Sequence, residues 1–214
     1  RRLNTDYIDL YQCHRPDPDT PTDELMEALD QIIRSGKAIY VGLSNHGPEE
    51  IRAKLGYAIS HHTARPIISQ SRYSMLDRHV EDGELAACAE YGMGFIAFTP
   101  LAQGMLTDKY LKQEAPAESR LTRSSDVCAK RLQGRSDIQR VTALNEIARR
   151  RGQTLAQMAI AWTLRDPRVT SALIGASSVA QLEDSVGAVH RLTFTDAELT
   201  EIDAFALEAG INLW

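Results

Sequence analysis

The sequence predicts an α/β protein whose strands lie side by side in a parallel sheet. Five short runs rich in apolar and β-branched residues recur along the chain, and an amphipathic helical pattern follows each of them. The apolar character of these runs is continuous rather than alternating, as expected for strands covered on both faces. The runs occupy residues 7–14, 38–44, 66–70, 94–99 and 170–175.

The spacing of the strands indicates repeated β/α units. The first four runs begin near residues 7, 39, 67 and 94, a period of about 30 residues, which is the size of one such unit. The fifth begins only near residue 170, after a basic loop and two helical patterns. This pattern is compatible with an open doubly wound sheet or with part of a closed (β/α)8 barrel. Five strands cannot close that barrel, which needs eight strands and about 250 residues.

The helices between these runs have recognisable ends. Thr20 and Pro21 are predicted to cap and open the first helix, and Gly36 to end it. Residues 47–50 open the second helix, a third runs from about residue 82 to 91, residues 177–189 form another, and a capping box at 195–198 opens the last. The residues expected on inward helix faces are Leu25, Leu29, Ile32, Ile33, Ile51, Leu55, Ile59, Ile138, Val141, Leu144, Ile147, Leu155, Met158, Ala159 and Trp162.

Composition narrows the class of protein. The 214 residues suit a single domain, and the formal net charge of −5 gives no electrostatic reason to expect nucleic acid or an anionic membrane as partner. No apolar run approaches the ~20 residues that span a bilayer. The cysteines lack the spacing of metal ligands, so no metal site is expected; they are Cys13, Cys88 and Cys128. The protein is expected to lie in a reduced, cytoplasmic setting.

Polar residues follow the predicted strands where ligands bind in parallel α/β folds, at the carboxyl ends. His14, Ser44 with Asn45, Gln70, and Thr99 with Pro100 end the first four runs. Residues 175–178 (Gly-Ala-Ser-Ser) end the fifth and offer backbone N–H groups at a helix N-terminus, which suits a phosphate. The alternative is that Ser177 is only the helix cap.

Three further polar features have simpler interpretations. The basic loop at residues 120–135 is either a solvated loop or a clamp whose arginines bind a phosphate group. His46 is expected at the surface or at a helix cap. Tyr73 and Met75 are candidates for the lining of a substrate pocket.

Four ordered motifs are similar to those of the aldo-keto reductases: residues 6–15 (DYIDLYQCHR), 36–45 (GKAIYVGLSN), 98–104 (FTPLAQG), and 175–177 (GAS) followed by Gln181 and Leu182. The chain most resembles the branch that holds bacterial L-glyceraldehyde-3-phosphate reductases and potassium-channel β subunits. The resemblance implies a (β/α)8 TIM barrel, of which this chain carries strands 4–8 and two auxiliary helices. The first three β/α units are expected to precede Arg1.

The resemblance also implies an activity, NADPH-dependent reduction of aldehydes or ketones. Small aldehydes such as glyceraldehyde 3-phosphate or methylglyoxal are the expected substrates. His14 matches the family's catalytic His, whereas the catalytic Tyr, Lys and Asp would lie upstream of Arg1, so the chain alone is expected to be inactive. The alternative is a non-catalytic, nucleotide-sensing module like the channel β subunits. His14 favours the enzyme, because those subunits tend to carry Asn there. Relatives of this branch assemble from several barrels, so a homo-oligomer is one possibility, and the sequence does not fix the oligomeric state.

The resemblance also implies which residues bind the cofactor. Ser44, Asn45 and Gln70 match residues that hold the nicotinamide carboxamide, and Phe98 matches the aromatic residue that stacks on the nicotinamide ring. The remaining positions fall in two groups. Those near the pyrophosphate are Thr99, Pro100, Leu101, Gln103, Lys109 and Arg120, and those of the adenosine-phosphate pocket are Gly175, Ser177, Gln181, Asp184 and Ser185. Asp184 and Ser185 depart from the Glu and Asn usual in relatives.

Overall fold

The structure, a computed structural model, describes residues 3–108, 111 and 135–206. Within these residues, strands and helices alternate along the first half of the chain and helices predominate in the second. The strands are β1 (Ile8–Cys13), β2 (Ala38–Ser44), β3 (Ile68–Arg72), β4 (Gly94–Phe98) and β5 (Ser171–Leu173). The helices are α1 (Thr22–Arg34), α2 (Pro48–His61), α3 (Glu84–Glu90), α4 (Arg135–Arg150), α5 (Leu155–Thr163), α6 (Val179–Val186) and α7 (Asp196–Asp203), and short 3-10 turns include His79–Asp82 and Gly187–His190.

The five strands form one parallel sheet in the order β1-β2-β3-β4-β5. Ile8 lies opposite Ala38 at the start of the first pair, and Ser44 lies opposite Gln70 at the end of the second. Each new strand is therefore added beside the previous one without a reversal. A doubly wound sheet reverses its strand order at a switch point, whereas a (β/α)8 barrel does not. The observed order is thus consistent with a partial barrel, one of the two architectures that the sequence pattern allowed.

The described residues fall into two compact units, and the first contains β1 to β3 with helices α1 to α3. It comprises the described parts of Arg1–Arg72, His79–Ile96 and Arg168–Ser171. Its core is a cluster of fully buried apolar side chains between α1, α2 and β2, namely Met26, Leu29, Val41 and Ala58. Truncating a large apolar side chain in such a core to Ala lowers the free energy of unfolding by about 2–5 kcal/mol. The apolar helix faces read from the sequence therefore account for much of this unit's stability.

The close packing of the first unit explains the glycine in the middle of β2. A Cβ added at Gly42 would lie 2.9 Å from Ile68 Cγ2 of β3 and 3.2 Å from Gln12 Cγ of β1. These distances are shorter than van der Waals contact, so any larger residue displaces a neighbouring strand. Glycine at this position lets β1, β2 and β3 keep their register.

A carboxyl group is buried between β3 and α3 in the same unit. Glu84 Oε1 accepts hydrogen bonds from Ser69 Oγ at 3.0 Å and Ser71 Oγ at 2.6 Å, and both serines are fully buried. Burial raises the pKa of Glu84 because it disfavours the charged form, although the two serine hydroxyls act in the opposite direction.

The second unit is built mainly from α4 to α7 and comprises the described parts of Tyr73–Arg78, Ala97–Pro167 and Ala172–Trp214. Arg151, in the turn between α4 and α5, holds α7 in place. Its guanidinium lies 2.7 Å from Glu198 of α7, donates to the Thr193 carbonyl at 3.0 Å, and stacks 3.6 Å from the centre of the Phe194 ring. The Arg151 side chain is 1% exposed, so this is a buried ion pair.

Several helix ends agree with the sequence prediction and others do not. The capping box at Thr195 is confirmed, with Thr195 Oγ1 accepting from Glu198 N at 3.2 Å, and Pro48 opens α2. Thr20 does not cap α1: its hydroxyl donates to Asp17 Oδ2, and Pro21 is the residue before the helix. Ile59 and Ile138 were predicted to face inward but are 41% and 39% exposed among the described residues, and both lie within three residues of a helix end.

No helix among the described residues is long and apolar enough to cross a membrane. In the same part of the chain, no group of three or more His, Cys, Asp or Glu side chains is arranged to hold a metal ion.

Candidate functional site

Asn45 links the carboxyl ends of three adjacent strands in the first unit. Its side-chain Nδ2 donates to the carbonyl oxygen of His14, after β1, at 2.8 Å and to Ser44 Oγ at 2.9 Å. Its backbone N–H donates to the carbonyl oxygen of Gln70, in β3, at 3.1 Å. Four residues that the resemblance implies for the site therefore lie together. Because β1, β2 and β3 are parallel neighbours, this cluster follows directly from the sheet order.

Hydrogen-bonding groups remain uncommitted in this cluster. Both N–H groups of the Asn45 amide are used within the protein, whereas its Oδ1 accepts no hydrogen bond from the described residues. Ser44 Oγ accepts from Asn45 but donates to none of them, and the side-chain amide of the half-buried Gln70 likewise has no partner there. The cluster thus offers acceptor, donor and mixed groups at adjacent strand ends.

The backbone of Asn45 is in the left-handed region, with φ at 58°. Asn tolerates this conformation better than other non-glycine residues, because its short amide bonds nearby backbone. The conformation turns the chain sharply between β2 and α2. It brings the Asn45 side chain back over the end of β1, where the bond to His14 forms.

The imidazole of His14 is exposed and makes no hydrogen bond with the described residues. An exposed imidazole can donate a proton or a hydrogen bond to a bound molecule.

In the second unit, the segment after β4 folds into a tight turn. Thr99, Ala102 and Gln103 have positive φ values of 60°, 46° and 58°. Ala102 N donates to the Thr99 carbonyl at 2.9 Å, and Gly104 N donates to the Leu101 carbonyl at 2.8 Å. Such conformations cost about 1–3 kcal/mol each and concentrate at ligand-binding segments.

The other side chains of this turn vary in burial. Pro100 is buried, whereas Phe98, Thr99, Leu101 and Gln103 are half-buried. Phe98 ends β4, and its carbonyl accepts from Tyr73 N at 3.2 Å. The partly exposed residues include the aromatic ring predicted to stack on a nicotinamide.

The helix after β5 is not capped by Ser177, which was the alternative to phosphate binding at this turn. Ser178, not Ser177, is the N-cap of α6, with its Oγ accepting from Gln181 N at 3.3 Å. The backbone N–H and hydroxyl of Ser177 both donate to Gln181 Oε1, at 2.9 and 3.0 Å. Gly175 is exposed and has no atom within 4 Å of a Cβ placed on it. Ser177 and Gln181 thus face each other, and the backbone at Gly175 stays open to an approaching ligand.

Asp184 and Ser185 lie on the side of α6 that packs on the protein. The Asp184 carboxylate accepts from Thr154 Oγ1 at 3.2 Å and from Gln157 Nε2 at 3.0 Å, so it ties α6 to the start of α5. Ser185 is 7% exposed. These contacts give both residues a structural role in α6.

Three expectations about other residues have different outcomes. Lys109 and Arg120, with most of the basic loop, lie outside the described residues. Tyr73 and Met75, the candidates for the lining of a substrate pocket, are both fully buried, and the Tyr73 hydroxyl accepts from Arg165 at 2.9 Å beside Trp162. His46 is not at the surface but 1% exposed beneath the start of α2. Local periodicity gave no signal for it, because His46 lies in the turn between β2 and α2.

The chain is similar to known proteins over most of its length. Residues 1–207 match the model of the Aldo/keto reductase family. The chain is 41% identical over 219 residues to an L-glyceraldehyde 3-phosphate reductase of Escherichia coli O157:H7, which covers 100% of this chain and 62% of that protein. The chain therefore belongs to the aldo/keto reductase family.

Two further relatives show the breadth of that family. A probable voltage-gated potassium channel subunit beta of Arabidopsis thaliana is 37% identical over 194 residues, covering 88% of this chain and 58% of that protein. An uncharacterized oxidoreductase of Bacillus subtilis is 35% identical over 190 residues, covering 88% of this chain and 56% of that protein. The chain thus spans at most 62% of the length of these three relatives.

Proposed function

We propose that these residues form the NADPH-binding part of a reductase that acts on small aldehydes or ketones. The observation that carries this proposal is the cluster of Ser44 and Asn45 at the end of β2 with Gln70 of the neighbouring β3, which has uncommitted hydrogen-bonding groups and includes the exposed His14 after β1. The family membership supports an oxidoreductase, and the cluster supplies the reason to assign the cofactor site here.

The uncommitted groups fit a primary carboxamide. Such a group presents a carbonyl oxygen that accepts and an NH2 that donates twice. The Ser44 hydroxyl can donate to the carbonyl, Asn45 Oδ1 can accept from the NH2, and the Gln70 amide can do either. Since the Asn45 Nδ2 is held by His14 and Ser44, the orientation of its Oδ1 is fixed in advance, which favours binding.

NADPH, when bound, supplies the hydride for carbonyl reduction. The protein's own contribution is to orient the reacting groups and to stabilise charge on the substrate oxygen. His14 is proposed to donate a hydrogen bond to that oxygen, which its exposed imidazole and its position directly after β1 support. A hydrogen bond that strengthens as negative charge develops lowers the barrier of the reaction.

The groups for the rest of the cofactor are proposed from the resemblance alone. Phe98 would stack on the nicotinamide ring, and the turn from Thr99 to Gln103 would follow the pyrophosphate. The open backbone at Gly175, with Ser177 and Gln181, would receive the adenosine phosphate. Lys109 and Arg120 are proposed to add positive charge near the phosphates. Asp184 and Ser185 are proposed at the adenine end only as supports, since their side chains pack on the protein.

Small aldehydes such as glyceraldehyde 3-phosphate and methylglyoxal are the proposed substrates, by similarity to the Escherichia coli relative. Of the family's four catalytic groups, only His14 has a counterpart in these 214 residues. We therefore propose that the 214-residue chain on its own binds the cofactor without turning over substrate. Self-association and a cytoplasmic setting remain predictions of the same similarity.

A second candidate function is nucleotide sensing without catalysis, which the Arabidopsis relative suggests. The exposed imidazole of His14 favours the reductase, because a binding module needs no proton donor at that position.

The experiment that tests the proposal uses the native full-length protein that contains these residues. NADPH oxidation is followed with glyceraldehyde 3-phosphate and with methylglyoxal, and NADPH affinity is measured by fluorescence. We expect turnover with at least one aldehyde, and a loss of about 10²-fold in kcat for His14→Asn with unchanged NADPH affinity. Binding without any turnover by the native protein would support the sensing module instead. Failure to bind NADPH would refute both.

A further inference from the structure

His46 follows the strained residue of the proposed carboxamide site and is almost completely buried, at 1% exposure. Its Nδ1 lies 2.8 Å from the carbonyl oxygen of Ser44, two residues earlier. A carbonyl oxygen can only accept, so Nδ1 carries the proton and the bond runs from His46 to Ser44. The imidazole thereby fixes its own tautomer.

The other ring nitrogen has no partner. Nε2 is buried and receives no hydrogen bond from the described residues. A proton on Nε2 would create a buried donor without an acceptor, close to the charge of Lys54. Burial lowers the pKa of His46, and Lys54 lowers it further, although Ser44 and Glu50 act in the opposite direction. The ring is therefore neutral near pH 7 and makes one directed hydrogen bond.

That bond closes a short loop around Asn45. It joins the carbonyl of Ser44, the residue before Asn45, to the ring of His46, the residue after it, while Asn45 itself holds φ at 58°. A left-handed residue persists only where its surroundings determine its conformation. Two kinds of hydrogen bond fix the conformation of Asn45. Its own Nδ2 bonds to His14 and Ser44, and the ring of the next residue, His46, bonds to the carbonyl of Ser44.

We propose that His46 is a positioning residue for the nicotinamide carboxamide: its Nδ1–H···O bond to Ser44 holds Ser44 and Asn45 in the geometry that binds the carboxamide. This inference rests on the proposed function. It assigns no contact between His46 and the cofactor, because the ring is buried beneath the turn. The competing explanation is that the ring only fills space under α2.

Two substitutions separate these explanations. His46→Asn keeps a donor close to the position of Nδ1, whereas His46→Leu keeps apolar volume and loses the donor. Each variant of the native full-length protein is titrated with NADPH and with adenosine 2′,5′-bisphosphate, which lacks the nicotinamide. A thermal unfolding midpoint is recorded for each.

We expect His46→Leu to weaken NADPH binding about tenfold, the effect of one lost hydrogen bond in a closed site, and to leave the bisphosphate affinity within about twofold. His46→Asn should restore NADPH affinity to within about threefold of the wild type. Equal losses for both ligands in His46→Leu, or no loss for either, would overturn the proposal. So would His46→Asn binding NADPH as weakly as His46→Leu.

A measurement on the wild type covers the case in which His46→Leu does not fold. The nitrogen chemical shifts of the His46 ring distinguish its two neutral tautomers. The proposal requires the tautomer protonated at Nδ1, and the opposite tautomer would overturn it. If the wild type binds the bisphosphate but not NADPH, or binds neither, the proposed function itself fails, whatever His46 does.

Discussion

Replacement of Asn45 by Ala and by Gly separates backbone strain from lost hydrogen bonds. Asn45 holds φ at 58° and donates two side-chain hydrogen bonds, to His14 O and Ser44 Oγ. Both substitutions remove both bonds, each worth about 0.5–1.5 kcal/mol, with the lower end expected because the His14 bond is exposed. Ala keeps a Cβ in the left-handed region, as Asn does, whereas Gly removes it and relieves about 1–2 kcal/mol of strain.

The free energy of unfolding should therefore fall by about 1–2 kcal/mol in Asn45→Ala and change by less than about 1 kcal/mol in Asn45→Gly, because the relieved strain offsets the two lost bonds. The assay is equilibrium unfolding in urea of the native full-length protein, with NADPH affinity measured in parallel. NADPH affinity should fall at least about tenfold in both variants, because both lack the Oδ1 acceptor. An Ala variant as stable as the Gly variant would refute the strain argument. Unchanged NADPH affinity in both would refute the assignment of Asn45 to the site.

Three further changes test packing and electrostatics by urea unfolding. Gly42→Ala should cost about 1–3 kcal/mol, since its Cβ would meet Ile68 Cγ2 at 2.9 Å, and a cost near zero would show that the strands shift freely. Arg151→Met should cost about 1.5–3 kcal/mol, because the bonds of the buried guanidinium to Glu198 and the Thr193 carbonyl are lost, and a surface-like effect under about 0.5 kcal/mol would contradict the role of Arg151 in holding α7. Because the folded pKa of Glu84 is raised, the folded state holds that proton more tightly, so stability should fall as pH rises through the folded pKa. Glu84→Gln should flatten that dependence, and an unchanged slope would show that Glu84 is not its source.

The sequence predicted the elements whose signals are local. Glycine and proline at the start of α2 and the capping box at Thr195 act within four residues, so their physical effect is visible in the chain itself. The order of the strands could not be predicted in the same way, because continuous apolar runs fit an open doubly wound sheet and part of a barrel equally well. The strand order in the structure has no reversal and is consistent with part of a barrel.

The sequence could not show which face of the chain the rest of the protein covers. Ile138 follows the helical pattern but is exposed, whereas Tyr73 and His46 lie in turns and are buried by residues distant in sequence. Likewise, the contact of Asp184 with Thr154 joins two helices across 30 residues of chain. Periodicity describes one element at a time and carries no information about such contacts.

Within the candidate site, the strand-end residues could be named from the sequence, but their committed and uncommitted atoms could not. That Asn45 uses its Nδ2 internally and leaves its Oδ1 available depends on where His14 lies in space. This difference decides which chemical group the cluster can bind. The carboxamide assignment therefore depends on the structure as well as on the resemblance.

The most direct test of the central claim changes the carboxamide rather than the protein. The reduced 3-acetylpyridine analogue of NADPH replaces the NH2 with a methyl group and keeps the carbonyl. We predict that the native full-length protein binds this analogue about tenfold more weakly than NADPH, because Asn45 Oδ1 and the Gln70 amide lose a donor partner. Equal affinity for the two dinucleotides would contradict the account.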